Sequence, residues 1–263
     1  DFNNQDLMFL EAIADQSAIA IENAVLHKEI VKSERMAAIG QTVAGLAHCI
    51  KNVLNGIQGG SFIVDMGIKN KEDSRIQKGW DIVKKNNVFM QSLVLDMLSY
   101  SKERKPEYLL TDINVIVESV CNLMEQKAKE KGVIITWKPN PELTEVDIDP
   151  KGIKRCVLNL VSNAVDACEN IKNAQINVTT EIISSKNFKI DISDNGIGMP
   201  PEVQKKLFQV FFSTKGSKGT GLGLAVTHKI IKEHNGNIKV KSKLGKGTTF
   251  TIVLPIKRKK TSK

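Results

Sequence analysis

The stretch "NLVSNAVDA" at positions 159 to 167 puts two carboxamides and a carboxylate, Asn159, Asn163 and Asp166, at i, i+4 and i+7. On a helix, this spacing sets all three on one stripe beside Val157, Leu160, Val161 and Val165. Standing alone, such a stripe fits the solvated face of an ordinary amphipathic helix. A carboxamide carbonyl also ligates Mg²⁺ without adding charge, which suits a site that holds a polyphosphate.

Two further stretches carry compatible chemistry. "DNGIGM", residues 194 to 199, ends a predicted strand. Asn195 and Gly196 are hairpin-turn residues, but Pro200 and Pro201 open a short helix where a returning strand would start. Asp194 at a strand end, beside Gly196 and Gly198, can accept a hydrogen bond from an adenine amino group. "KGTGLGL" then runs Gly219, Gly221 and Gly223 into a helix, where backbone N–H groups and the helix start favour phosphate. By itself this glycine pattern is often just a flexible loop. Between the two lies "LFQVFFSTKGS", where Phe208, Phe211 and Phe212 precede Lys215. It is predicted to be a movable lid with an exposed hydrophobic clasp.

The elements that must carry these residues fall into two kinds. From about Gln5 to Val64 there is no proline, and Ile39, Val43, Leu46, Ile50, Val53 and Ile57 alternate at steps of four and three. That is a coiled-coil or bundle seam. After "GIKNKEDS", Ile76, Val83, Met90 and Met97 recur every seventh residue, so an antiparallel helical hairpin is expected. One hairpin leaves its seams open to water, and two copies close them as a four-helix bundle, predicting a homodimer. "SKERKPEYLLTD" reads as a linker. Helices near 113–131 and 150–169 follow, with strands at "VIITWK", "INVTTEIIS" and "FKIDISDN". The helix "LGLAVTHKIIKEH" and a closing hairpin of "NIKVKS" and "TTFTIVLP" complete an α/β layered domain.

Composition narrows the class. The 263 residues suffice for two compact units. No apolar run approaches the roughly 20 residues of a membrane span. The net charge of +9 is interspersed with acidic residues apart from the tail "IKRKKTSK", and only nine Phe, two Tyr and two Trp are present, so no nucleic-acid partner is expected. Four cysteines without a CxxC pair read as reduced thiols, and a cytoplasmic location is expected. The start "DFNNQDLMFLEAIADQ" lacks a signal peptide and is expected to lie inside a longer protein.

In order and spacing, the motifs across residues 112 to 255 resemble the ATP-binding domain shared by sensor histidine kinases, DNA gyrase, Hsp90 chaperones and MutL repair proteins, the GHKL superfamily. The resemblance implies an α/β sandwich of the Bergerat type with ATP and Mg²⁺ as cofactors. It places Asp194, Gly196 and Gly198 at the adenine, Asn163 on the metal, Asn159 beside it, and Thr220, Gly221, Leu222 and Gly223 on the phosphates. Hydrolysing members carry a glutamate general base where this chain has Asn159; without it water is poorly activated, which implies a kinase rather than an ATPase. Asp166 stands where many histidine kinases have Lys or Arg near the phosphates, and Lys215 is expected to supply that charge.

The helices around His48 and Asn52 resemble the dimerisation and phosphotransfer domain of two-component histidine kinases. With Leu46 and Ile50 inward, His48 falls at an outward heptad position, and a neutral imidazole is a competent nucleophile near neutral pH. The family's acceptor motif is His, an acid, two variable residues, Asn and often Pro; here it reads His48, Cys49, Ile50, Lys51, Asn52, Val53. Cys49 therefore stands where the proton-accepting acid would be. The implied organisation is the end of a GAF-like sensor domain and signalling helix at 1–30, the dimerisation and phosphotransfer domain at 31–104, a linker at 105–111, the ATP-binding domain at 112–256 and a basic tail at 257–263. The implied activity is autophosphorylation of His48, gated by the upstream sensor domain, and transfer to an aspartate on a response regulator receiver domain. Cys49 keeps a regulator phosphatase or a weakly active nucleotide-binding scaffold as alternatives, and Asn159 argues against a GHKL ATPase.

Overall fold

The computed structural model describes residues 45–47, 49–101, 106–216 and 219–257, with isolated helical positions at 14, 16 and 22. The expectations for the sensor-like segment 1–30, for Ile39 and Val43, for His48 and for the tail beyond 257 lie outside the described residues. The chain divides into two compact units, residues 1–52 and 53–263. In the smaller unit, 45–47 and 49–52 are helical, and Asn52 is half-buried there.

The larger unit opens with a helical hairpin of α1, residues 53–70, and α2, Asp73–Ser101. Between them Lys71 takes a left-handed φ of 56°, and the Glu72 N–H caps α1 by donating to the Gly67 carbonyl at 2.8 Å. The helices meet through glycines. A Cβ on Gly79 would sit 2.7 Å from the Gly60 carbonyl oxygen, and one on Gly60 2.9 Å from the Gly79 carbonyl oxygen. The expected seam residues take part in the same contact: Val83 lies against Gly60 and Ile76 against Gly67. Val53 and Leu93 are buried at 2% and 1% exposure, but Ile57, Ile76, Val83 and Met90 are only half-covered and Met97 is exposed. Seams half-open to water are what one hairpin alone is expected to show, and the glycines let the large seam residues of α2 pack closely on α1.

The stretch expected as linker differs too. Leu109–Asp112 forms strand β1, antiparallel to β3, Glu145–Ile148, with Thr111 opposite Val146. Four residues are too few to show alternation, and the partner lies far along the chain. Asp112 then caps α3, Ile113–Glu130, by accepting from the Asn114 N–H at 2.8 Å.

The main sheet has the order β2-β4-β5-β7-β6. β2, Ile134–Lys138, runs parallel to β4, Gln175–Ser184; β5, Asn187–Asp194, β7, Gly247–Pro255, and β6, Asn237–Lys243, continue it antiparallel. Along β5, Phe188, Ile190, Ile192 and Asp194 are buried while the alternate residues are half-covered. Helices α3, α4, Pro150–Ala167, and α6, Gly223–Glu233, form the second layer. This is the expected helical region followed by an α/β sandwich.

α4 is fixed at its start by Asp149, whose carboxylate accepts from the Gly152 N–H at 3.1 Å, and by Pro150 in the first turn. Val157, Leu160, Val161 and Val165 are fully buried in the core with Ile176, Ile190 and Ile252. Each such side chain contributes about 1.5–3 kcal/mol when buried. Their stripe therefore sets the rotation of α4 and leaves Asn159, Asn163 and Asp166 partly accessible.

Candidate nucleotide-binding site

Helix α4 is the spine to which every downstream motif is tied. At its middle, the Asn159 amide donates to the Gly223 carbonyl at 3.1 Å and to Thr227 Oγ1 at 3.3 Å, fastening the glycine loop to α4. One turn on, Asn163 Oδ1 accepts from the Lys215 ammonium at 2.8 Å. Asp166 Oδ2 accepts from the same ammonium at 2.8 Å, and Asp166 Oδ1 from Lys131 Nζ at 2.9 Å. Lys131 is shared with Glu169 at 3.0 Å. Burial pushes the Asp166 carboxyl up, but the bonds and charges of Lys215 and Lys131 outweigh it and hold the group below its ordinary value. Burial likewise pulls Lys131 down, and Asp166 and Glu169 together lift it above the usual lysine value.

At the end of α4, the Ala167 carbonyl accepts from the Ile197 N–H at 3.0 Å, docking the "DNGIG" segment. Asp194 is 8% exposed, and its Oδ1 accepts from the Gly196 N–H at 2.9 Å and the Thr248 N–H at 3.2 Å. Burial raises the Asp194 carboxyl, with the two amides opposing in part. Both amides converge on one oxygen, so Oδ2 is the atom positioned to accept from a ligand amine. Asn195 joins the sheet instead of turning a hairpin: its Oδ1 accepts from the Gln175 N–H at 2.7 Å and its Nδ2 donates to the Asn173 carbonyl at 2.9 Å. The short helix α5, Pro201–Lys206, follows as expected, and Gly198 lies against the Lys243 carbonyl in the β6–β7 turn.

The lid is rooted more firmly than expected. The Phe211 N–H donates to the Gly221 carbonyl at 2.9 Å, with φ of 62° at Phe211 and 65° at Gly221. A Cβ on Gly221 would fall on the Phe211 backbone, so only glycine fits. Phe208, Phe211 and Phe212 are half-buried and form no exposed clasp. Phe208 packs on the core and stacks on His228 at a ring separation of 5.0 Å, because the chain after α5 turns back over α6. Thr220 Oγ1 accepts from the Leu222 N–H at 3.3 Å, and the buried Leu222 side chain anchors the start of α6 at Gly223.

The structure thus gathers Asn159, Asn163, Asp194, Gly196, Lys215 and the Thr220–Gly223 loop around α4. His48 lies outside the described residues, and Asn52 belongs to the smaller unit. Two contributors escaped the sequence: Lys131, 35 residues before its partner Asp166, and the Thr248 amide, which only the β5–β7 register brings to Asp194. A Mg²⁺ polyphosphate fits what is present. The Asn163 carbonyl already receives a cationic group, and the loop Gly219–Gly223 opens onto a helix start.

Residues 148–258 match the family described as histidine kinase-, DNA gyrase B-, and HSP90-like ATPase. The catalytic domain of the histidine kinase ThkA is 30% identical, with a TM-score of 0.52, covering 58% of this chain and 99% of that domain. The chain belongs to the sensor histidine kinase family. Among relatives of this kinase-family chain, the signal transduction histidine-protein kinase AtoS of Escherichia coli (strain K12) is 33% identical over 229 residues, 87% of this chain and 37% of AtoS. Sensor histidine kinase ZraS of the same organism is 30% identical over 88% of this chain and 49% of its own length. The chain therefore spans half or less of those two proteins. ThkA crystallised in complex with the response regulator protein TrrA aligns at a TM-score of 0.70 with 28% identity, over 85% of this chain and 63% of ThkA.

Proposed function

We propose that this chain is the catalytic core of an ATP-dependent protein histidine kinase, working as a homodimer that phosphorylates His48 and passes the phosphoryl group to an aspartate of a response regulator. The observation that carries the nucleotide part is the Lys215 ammonium on Asn163 Oδ1, beside the glycine loop that Asn159 ties to α4. A cation-seeking carbonyl, a lid lysine and a phosphate-type helix start converge at one rim of the fold.

In this mechanism Asp194 Oδ2 accepts from the adenine amino group, and the backbone of Thr220, Gly221, Leu222 and Gly223 donates to phosphate oxygens, the Leu222 N–H exchanging its bond to Thr220 Oγ1 for one to phosphate. Asn163 would hold Mg²⁺, which neutralises charge on the phosphates. Lys215 closes over the terminal phosphate. A ring nitrogen of His48 forms the new bond to the γ-phosphorus as the bond to the β,γ-bridging oxygen breaks and ADP departs; the imidazole proton leaves to a base. Positioning and charge neutralisation supply most of the acceleration in phosphoryl transfer. The Asn159 amide faces a carbonyl and a hydroxyl, and has no basicity with which to activate water.

Support for the partners is of a different kind. On a single hairpin Leu54, Phe62, Trp80, Val88 and Leu95 are exposed, an apolar surface that a second copy would cover. ThkA has been captured with its response regulator, which supports a receiver domain as the acceptor of the phosphoryl group. Among the described residues no helix is long and apolar enough to cross a membrane.

Incubation with γ-labelled ATP tests the proposal. An acid-labile, base-stable label that disappears in His48→Ala is expected. Steady phosphate release with no label on the protein would overturn the kinase in favour of an ATPase.

A further inference from the structure

We propose that Asp166, braced by Lys131, is the positioning residue of the lid: it holds the Lys215 ammonium next to Asn163 and keeps it beside the phosphates when a metal takes the Asn163 carbonyl. This rests on the nucleotide site described above, adds Lys131, which its motifs did not include, and gives Asp166 a role they did not assign.

The geometry separates a fixed part from a movable one. Asp166 is on α4, and its Oδ1 is held at 2.9 Å by Lys131, the residue that caps α3. Lys131 is in turn held by Glu169, just past the end of α4, at 3.0 Å. Both belong to the packed helical layer. Lys215 alone comes from the segment between α5 and α6, and its ammonium reaches Asn163 Oδ1 and Asp166 Oδ2 at 2.8 Å each. The lid root is pinned separately by the Phe211 N–H on the Gly221 carbonyl. The Lys215 contacts therefore hold the tip, not the root.

Asn163 and Asp166 have different parts in this latch. A neutral carbonyl oxygen cannot hold both an ammonium and a metal at about 2.1 Å, because the two cations repel and share the same lone pairs. Lys215 must leave Asn163 when Mg²⁺ binds. Asp166 keeps a full charge, and Lys131 fixes the direction of its carboxylate, so Lys215 retains an anchor one turn along the helix. Without that anchor the ammonium would have to find the phosphates from solution.

Removing the Asp166 charge should then separate affinity from turnover. A negative group beside a polyphosphate opposes binding, so Asp166→Asn leaves nucleotide affinity unchanged or improved. Turnover falls by roughly tenfold because Lys215 loses its orientation, a typical cost of a misplaced catalytic group.

The test uses the full 263-residue chain as wild type, Asp166→Asn, Asp166→Glu, Lys131→Met and Lys215→Met. Hydrogen exchange of the lid peptide around Lys215, measured without nucleotide, should rise severalfold in Asp166→Asn, Lys131→Met and Lys215→Met. Asp166→Glu should stay near wild type. Titration with Mg²⁺ and a non-hydrolysable ATP analogue should show equal or tighter binding in Asp166→Asn, and its turnover deficit should vanish in the Lys215→Met background. Unchanged lid exchange in both Asp166→Asn and Lys215→Met, with the analogue still bound, overturns the latch; so does weaker binding in Asp166→Asn. Failure of the wild-type chain to bind the analogue overturns the nucleotide site itself. Lys215→Met alters an exposed residue outside the core, so its exchange result stands even where an Asp166 variant fails to fold.

Discussion

Asn159 holds Gly223: its side-chain amide donates to the Gly223 carbonyl at 3.1 Å while also reaching Thr227 Oγ1 at 3.3 Å. The residue at the position where the resemblance implies a general base in hydrolysing members is a strut between α4 and the glycine loop. Installing the carboxylate should therefore fail to create an ATPase. Asn159→Glu would set a negative oxygen against the Gly223 carbonyl and lose the donated bond, a cost of about 1–3 kcal/mol. Weaker nucleotide binding with no rise in steady phosphate release is expected from a titration and a phosphate-release assay.

In the proposed nucleotide site, Asp194 would trade stability for binding. Burial raises its carboxyl on folding, so its contribution to stability is complete below the ordinary carboxylate value and is lost as pH rises through the raised folded value. At neutral pH the charged side chain therefore costs stability. Asp194→Asn keeps an Oδ1 for the Gly196 and Thr248 amides but turns the other atom into a donor. The variant should melt a few degrees higher in calorimetry and bind adenine nucleotides poorly. A lower melting temperature would contradict this account of the site.

The same residues show how much was legible beforehand. The places of Asn163 on a helix, Asp194 at a strand end and the glycine loop before a helix could be read because each is a local pattern carried by neighbours in sequence. The strands β4 to β7 could be read from alternation over seven or more residues. Lys131 could not: its partner is 35 residues away, and nothing around it distinguishes it from the other surface lysines. Leu109–Asp112 was hidden by shortness, since a four-residue strand declares itself only through its pairing with β3. Periodicity marked Ile76 and Val83, which pack on Gly67 and Gly60, but not the backbone approach of Gly60 to Gly79, since a glycine adds nothing to an apolar count.

That glycine contact gives a prediction confined to the hairpin. A Cβ on Gly79 would meet the Gly60 carbonyl oxygen at 2.7 Å and the Val64 amide nitrogen at 2.8 Å, both backbone atoms that cannot rotate away. Gly79→Ala should force the helices apart at a cost of roughly 1–3 kcal/mol, as overpacking does. Dissociation of the proposed dimer, followed by sedimentation, should shift to higher concentration, while binding of an ATP analogue by the α/β domain stays at the wild-type value.

His228 should make the lid root sensitive to acid. Burial, then the Lys232 charge, hold its imidazole below the ordinary 6.5. A depressed value means that the contribution to stability is present above about 6.5 and is lost as pH falls through the folded value. Melting temperatures between pH 7 and pH 5 should drop more steeply for the wild type than for His228→Gln; parallel curves would remove His228 as the titrating group.

Cys49 bears on where the proton of His48, the proposed acceptor, would go. Burial pushes its thiol above the ordinary cysteine value of 9.0, so at neutral pH it is almost entirely S–H. A protonated thiol cannot take the imidazole proton as phosphoryl transfer proceeds, and Cys49 is no substitute for the acid that the family's motif places after its histidine. Proton removal then falls to water or to another group, and a positioned base usually contributes about 10²–10⁴-fold. Cys49→Glu should raise the single-turnover rate of His48 labelling by at least roughly tenfold, with nucleotide affinity unchanged because Cys49 is remote in sequence from every nucleotide motif. Cys49→Ser, which adds no base, serves as the control and should label at the wild-type rate. Equal rates in Cys49→Glu and Cys49→Ser would mean that proton transfer does not limit the step, leaving the approach of the nucleotide to His48 as the slow event.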